Sequence, residues 1–478
     1  MDVVQALVQQ SLIRSTEPIP GHIRFQMYES IREYAEQKLS TSGAVMTADG
    51  QTATGPGAIS AIRRRHSAFY SKLGEEDVLE SSFWGAPPEA RKVFRAEREN
   101  LAQAIAFGPQ CTPRIHALAT VAWGAIYRWY GPYLPALEVV RETMKREDLD
   151  PRSRLQLCET AGGLCADADQ LDDAAAYAGE CMVLARMIKD RAAEGRAITR
   201  RTHNEQKEMS DEDVLVAHNQ ALVLLRESGD RRGEVDTLLN LGTYHIIQED
   251  HDSAMRFANE MLEKSVAGGC LWQEARALRF RASSYMDRGH MDLAEADLKR
   301  ALDNAQRIEK PLLLIEVNGA LGTLYKDLGR LDDSVDRHET AIRLSREIGN
   351  RMVESIVMGN MALIFQLLGR YPEAEQLYKD TVRLDDTRGQ TVIGHMAKGN
   401  LGDLLLTQGK LTESTEQLTE AIELLDPKRP SMAGAFRGSL AWARAQLGEF
   451  DEARKLLEQG EAQVERGWRR WLPWRAEL

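Results

Sequence analysis

The chain has 478 residues, 43% of them hydrophobic, and its 61 basic against 73 acidic residues leave a formal net charge of −12. That acidic balance argues against a dedicated nucleic-acid surface, and the length admits either two or three ordinary domains or one long repeat array. Five cysteines (Cys111, Cys158, Cys165, Cys181 and Cys270) form no C-x-x-C pair or Cys/His cluster, which argues against a disulfide framework, a metal site or a cofactor and fits a cytoplasmic protein. With no signal-peptide pattern and no apolar run of roughly 18 residues, no membrane association is expected.

In chain order, residues 1–39 read as a helix from Val3 to Leu12, a turn holding Pro18, Pro20 and Gly21, a short strand from Ile23 to Met27, and a second helix from Glu29. Residues 40–60, rich in Gly, Ala, Thr and Ser, read as a flexible linker. Residues 61–112 form a helical connector that opens on Arg63, Arg64, Arg65 and His66 before Phe69 and Tyr70, a run better suited to a solvated helix end than to a nucleic-acid contact. The phrases DVVQALVQQSLI, RFQMYESIREYAEQKL, RRRHSAFYSKL and FRAERENLAQAI resemble the stretch that joins the winged-helix module to the repeats in bacterial STAND regulators, the signal-transduction ATPases with numerous domains. The resemblance implies that residues 1–39 are a partial winged helix and that a nucleotide-binding domain, upstream or separate, is a potential partner. No G-x-x-x-x-G-K-[ST] occurs, so this chain has no loop of that type to cradle a nucleotide.

From residue 113 onward the chain repeats. Gly289, Gly329, Gly369 and Gly409 are 40 residues apart, with Gly448 one residue early. Ala254, Ala294, Ser334, Ala374 and Ser414 keep the same step, as do Ala301, Ala341, Thr381 and Ala421. Between them lie LGTLYKDLGR, MALIFQLLGR and LGDLLLTQGK: an amphipathic helix, a glycine that ends it, and the start of a second helix. Small residues are needed where paired helices cross closely, so Gly322, Ala362 and Gly402 are expected to face Ser334, Ala374 and Ser414. The small and aromatic positions Gly322, Tyr325, Ser334, His338 and Ala341, matched again at Ala362, Phe365, Ala374, Tyr378 and Thr381, resemble the tetratricopeptide repeat, in its longer Pins-type and kinesin-light-chain-type form. Weaker copies lie at Gly124, Ala136 and Thr143, at Gly162, Ala174 and Cys181, and at Thr202, Val214 and Ala221. The resemblance implies an all-α, right-handed superhelical solenoid of about nine antiparallel helix pairs over residues 113–465, with a small winged-helix remnant at the N-terminus.

Such a solenoid binds a protein or peptide segment in the groove lined by the first helix of each pair. Asn240, Asn360 and Asn400 share one register position, two residues before the small contact position, and in peptide-binding relatives an asparagine there clamps the backbone of an extended ligand. Asp236, Arg276, Arg279 and Glu316 fall on neighbouring groove positions, a mixture of charge suited to setting ligand register. Trp123, Tyr127, Trp129, Tyr130 and Tyr133 form the densest aromatic cluster, read first as interhelical packing and second as a stacking pocket. The tail, residues 466–478, carries Trp468, Trp471 and Trp474 among arginines and reads equally as a cap or a binding segment. No catalytic motif is present, and the expected function is a non-enzymatic interaction scaffold or sensor of a bacterial signalling or transcriptional regulator. The alternative is a DNA-binding regulator acting through the winged-helix remnant.

Overall fold

A computed structural model describes residues 3–19, 21–43, 54–84, 88–168, 170–205, 209–248, 250–386, 392–427 and 429–467. The Trp-rich end of the tail and the middle of the 40–60 segment lie outside these residues. The chain divides into two compact units. One holds Met1–Ser284 with Asp303–Lys310, the other Tyr285–Leu302 with Pro311–Leu478.

The N-terminal unit opens with α1 (Val3–Gln9), an antiparallel hairpin of β1 (Ile13–Ile19) and β2 (His22–Met27), and α2 (Glu29–Ser40). The sequence predicts one strand here; the structure has two, because β1 occupies the stretch before Pro20 that is expected to be a turn. The ladder slips between Thr16 and Ile19, where Pro18 has no N–H to donate. Next come α3 (Pro56–Ser71), the short α4 (Glu76–Leu79), a π-helical turn at Glu80–Trp84, α5 (Pro88–Ala96) and α6 (Arg98–Ala106). In the basic run Arg63 pairs with Glu36 at 2.8 Å, and Arg64 and Arg65 are exposed on α3.

Paired helices follow: α7 (Pro113–Tyr130) with α8 (Tyr133–Met144), α9 (Pro151–Asp167) with α10 (Leu171–Ile188), α11 (Arg191–Glu205) with α12 (Asp211–Ser228), and α13 (Arg231–Ile247) with α14 (His251–Ala267). Helices α15 (Leu271–Asp287) and α16 (Met291–Ile308) come next, and the division between the two units falls within them. Local signals fix their starts. Pro113 and Pro151 stand in the first turns of α7 and α9, and the Asp150 carboxylate accepts from the backbone N–H groups of Arg152 and Ser153 at 3.1 and 3.0 Å. The divergent early copies sit where the register places them: Gly124, Ala136, Thr143, Gly162, Ala174, Cys181, Thr202, Val214 and Ala221 are all buried. The five cysteines are buried free thiols.

The C-terminal unit continues with α17 (Pro311–Asp327) and α18 (Leu331–Ile348), α19 (Arg351–Leu367) and α20 (Tyr371–Asp386), α21 (Val392–Thr407) and α22 (Leu411–Leu425), then α23 (Pro430–Gln446) and α24 (Phe450–Gly467). The small-residue crossings are present and are hydrogen-bonded: the Ser334 hydroxyl donates to the Gly322 carbonyl at 2.6 Å, and Ser414 to Gly402 at 2.8 Å. A Cβ on Gly322 would stand 2.2 Å from the buried His338 ring, so the histidine at the aromatic position of α18 needs glycine opposite. Gly434 and Gly460 let α23 and α24 approach so closely that a Cβ on either would meet the other's carbonyl oxygen, at 2.8 and 2.7 Å. Gly329 and Gly369 close their helices in the left-handed region, at φ +73° and +72°. The arginine after each glycine lies 4.1 Å over an aromatic ring of the preceding helix, Arg330 on Tyr325 and Arg370 on Phe365. Among the described residues no helix is long and apolar enough to cross a membrane.

Candidate functional site

The residues singled out by the repeat register all lie on first helices. Asp236 and Asn240 are on α13 and Arg276 and Arg279 on α15, within the N-terminal unit. Glu316 is on α17, Asn360 on α19 and Asn400 on α21, within the C-terminal unit. The structure brings Asp236 and Arg276 together: a carboxylate oxygen and a guanidinium nitrogen meet at 2.5 Å, and the same guanidinium lies 4.5 Å over the Trp272 ring. Asn360 is exposed and Asn240 and Asn400 are half-buried. Arg279 follows Arg276 by one helical turn, and it and Glu316 are half-buried. Asn240 in one unit and Asn360 and Asn400 in the other are therefore equivalent by register, each considered within its own unit.

A second feature, which the register does not mark, lies in the N-terminal unit. A cavity of about 350 Å³ is framed by the first helices α7, α9 and α11, the start of α13, the crossing segment of α4 and the π-helical turn, and Lys310. Arg196 is its structural centre: Nε meets Glu159 at 2.9 Å, Nη1 meets Asp230 at 2.6 Å and Nη2 meets Glu76 at 3.6 Å. Arg200 reaches the same Glu159 oxygen at 3.4 Å, and Arg128 pairs with Asp167 at 3.0 Å. A Cβ on Gly163 would stand 2.2 Å from the Arg128 guanidinium carbon, so the glycine makes the space in which that side chain lies. Trp129 forms an apolar wall, packed against Phe83 with centroids 5.6 Å apart, while Arg91 and Lys310 sit over its ring at 4.9 and 4.8 Å.

The ionisation of these groups follows from their neighbours. Burial opposes charge on Glu159, but Arg196 and Arg200 outweigh it and hold the carboxyl at about 2. Arg196 is likewise stabilised as a cation, against its burial, by Glu159 and Asp230. Arg232 is the exception. Burial lowers it to about 9, Asp236 opposes the shift, and the positive charges of Arg128, Arg200 and Arg196 reinforce it. Arg232 thus stands among three other guanidinium groups, with Asp236 as the acid that opposes its shift.

The aromatic cluster divides between the two expectations. Trp129 and Tyr133 are buried in the helix packing, and Trp129 also lines the cavity; Trp123 and Tyr127 pack on each other with centroids 4.7 Å apart. Tyr130 lies under Arg95 at 4.4 Å. Among the described residues no group of three or more His, Cys, Asp or Glu side chains is placed to hold a metal ion.

With paired helices, glycine-closed turns and small-residue crossings in place, each unit is an all-α array of helical repeats. The tetratricopeptide repeat family model matches residues 273–347 and 313–387. No curated protein matches the chain. Among solved structures, a Rap protein complexed with competence and sporulation factor is 14% identical, covering 73% of this chain and 99% of that one with a TM-score of 0.52, and it shares the fold. Aspartyl phosphate phosphatase F from Bacillus subtilis is 12% identical over 72% of this chain and 92% of its own, with a TM-score of 0.47. BtubC from P. vanneervenii is 18% identical over 46% and 91%, with a TM-score of 0.39.

Proposed function

We propose that this chain is a non-catalytic interaction module that holds extended polypeptide segments of a partner along the first helices within each unit. The observation that carries the reading is the state of three asparagines at one register position. Asn240, Asn360 and Asn400 make no side-chain hydrogen bond among the described residues, so each amide retains a donor and an acceptor for the backbone of a ligand. An extended peptide needs such two-way partners because its own N–H and C=O groups are unpaired. The ion-paired Asp236 and Arg276 beside them add a polar element that favours one ligand register. The solved Rap protein with the same fold holds a factor, which agrees with this use of the scaffold.

The polar cavity does not favour an enzyme. A carboxylate held at about 2, like Glu159, is a poor base, and the Thr160 hydroxyl is spent on the Gln156 carbonyl at 2.8 Å. Residues 1–39 we read as the partial winged-helix segment of a bacterial signalling or transcriptional regulator, followed by a linker shorter than the expected 40–60, since α3 already begins at Pro56, then a connector to 112 and the repeats to 465. The helix, hairpin and helix of α1, β1–β2 and α2 support that assignment. The test of the main reading is selection of peptides from a random library on the full chain, followed by affinity measurement on the triple variant Asn240→Ala, Asn360→Ala, Asn400→Ala. At least a tenfold loss is expected, since several hydrogen bonds are removed at about 1 kcal/mol each. Unchanged affinity in a folded variant overturns the reading.

A further inference from the structure

In the C-terminal unit the crossing residues keep the beat, but the residue that follows each of them does not. After Gly322, Ala362, Gly402 and the buried Ala441 come Thr323, Leu363, Asp403 and Trp442, on α17, α19, α21 and α23. Packing does not dictate the choice there, since each interface between pairs closes with a different residue. Leu363 and Trp442 are 36% and 45% exposed. On α19 Leu363 belongs to a stripe: Ile356, Asn360, Leu363 and Leu367 follow at helical spacing on one face, and Ile356 and Leu367 are also exposed, at 37% and 58%. Single exposed apolar residues are ordinary, but a stripe along one face marks an interaction surface.

Asp403 stands between these apolar positions, because α21 packs between α19 and α23. It is half-buried, its Oδ1 is buried without a hydrogen-bond partner, and among the described residues it has no ion pair. The basic side chains near it in sequence are committed elsewhere: Lys398 to Glu420, Lys410 to Glu375 at 3.2 Å, Arg437 to Asp426 at 2.6 Å and Arg444 to Glu449 at 2.7 Å. Burial pushes the Asp403 carboxyl up to about 7 against a hydrogen bond from Ser439. A buried acceptor without a donor costs stability, and the chain bears that cost at a position packing does not fix. The helix surfaces beside it are open. Gly359 and Gly438 precede Asn360 and Ser439, and a Cβ on either glycine would meet nothing within 4 Å. Glycine weakens a helix interior and no packing calls for it here, but it leaves room for another backbone to lie against α19 and α23.

We propose that the first-helix face of α19, α21 and α23 is a docking site for an apolar polypeptide segment that carries one lysine or arginine. The apolar side chains of the segment lie on Ile356, Leu363, Leu367 and Trp442, and its cation meets the Asp403 carboxylate. The proposal rests on the reading of the chain as a polypeptide-binding module and names the chemistry of the partner at one place on it. Charge decides the occupant: a neutral or acidic segment would cover Asp403 and leave it unpaired, whereas a basic side chain supplies the missing donor and the missing charge together.

The test selects nonapeptides from a random library on the full chain and measures the affinity of the selected peptides, synthesised with a fluorescein label. They are expected to share large apolar residues and one lysine or arginine. Replacing that basic residue by glutamine should weaken binding about tenfold to the native chain and little to Asp403→Asn, because both changes remove the same contact. Asp403→Asn should by itself weaken the unaltered peptide about tenfold, and Leu363→Ser with Leu367→Ser, at exposed positions, at least as much. Selected peptides without a basic residue, or unchanged affinity in folded Asp403→Asn, overturn the proposal. A second copy of the chain on this face would appear in sedimentation as a dimer that Leu363→Ser with Leu367→Ser makes monomeric, and that result overturns it as well. The two readings fail separately. Peptides that lose affinity in the asparagine triple variant but not in Asp403→Asn remove only this site; a library that yields no binder removes the module reading with it.

Discussion

The two units are built from the same helix pair and put it to different use. In the C-terminal unit the 40-residue beat is nearly unbroken, and its side chains serve the repeat itself: Ser334 and Ser414 bond the glycine carbonyls opposite, and Arg330 and Arg370 cap the aromatic that ends each first helix. In the N-terminal unit the copies have drifted, and the positions released from the beat carry guanidinium and carboxylate groups that converge on one cavity. Regularity in a solenoid reports on packing, because every interface between pairs must close in the same way. Local chemistry has to break that regularity, and it is found where the repeat is weakest.

Acid should separate the units most. His116 and His218 in the N-terminal unit are pushed down to about 4, chiefly by burial, with Arg146 adding to the effect at His116 and His203 at His218. Both pKa values lie below the ordinary 6.5, so between pH 6.5 and 4 the unfolded chain binds more protons and stability falls as pH falls. The limit is about 1.4 kcal/mol per histidine per pH unit. In the C-terminal unit burial also lowers His338, but Asp403 acts in the opposite sense. Burial raises Asp403 to about 7 against a hydrogen bond from Ser439, so the native state takes up a proton there on acidification and gains stability relative to pH 8. Thermal unfolding followed from pH 8 to 4.5, with hydrogen exchange resolving the units, should show the N-terminal unit opening first. Earlier opening of the C-terminal unit would contradict these assignments.

Next in size is the close crossing of α23 and α24. Gly434→Val should cost about 3 kcal/mol in urea unfolding, because the new side chain meets backbone and not a flexible side chain. A cost below about 1 kcal/mol would mean that the pair is free to separate. Asp403→Asn should stabilise the C-terminal unit at pH 8, on the order of 1–2 kcal/mol, with the benefit shrinking toward pH 5 as the native aspartate becomes protonated. A benefit independent of pH would point to packing instead of charge. The smallest effect is expected from Arg370→Ala, a shift in Tm of no more than about 2 °C, since its side chain is half exposed and its pairing with Glu373 is a surface one.

How much was legible in the sequence follows the same division. The spacing of Gly289, Gly329, Gly369 and Gly409 with its small-residue partners places α15 to α22, because tight turns and close crossings tolerate few residue types and so leave a periodic trace. Asp236 and Arg276 also stand 40 residues apart, at one register position of α13 and α15, and their contact is added by the structure. Arg128, Arg196, Arg200 and Arg232 leave no such trace. They come from α7, α11 and α13, each looks like ordinary surface charge, and what assembles them is the stacking of first helices together with the crossing segment at Glu76–Trp84. Strand β1 was missed for a related reason: Pro18 and Pro20 signal a turn locally, and only pairing with Ile23–Met27 makes the residues before them a strand.

The most direct test of the account is hydrogen exchange of the full chain with and without a saturating library-selected peptide. Slowed exchange along the first helices, α11, α13, α19 and α21 among them, with α14, α20 and α22 unchanged, is the expected result. Protection confined to those second helices or to the β1–β2 hairpin would contradict it.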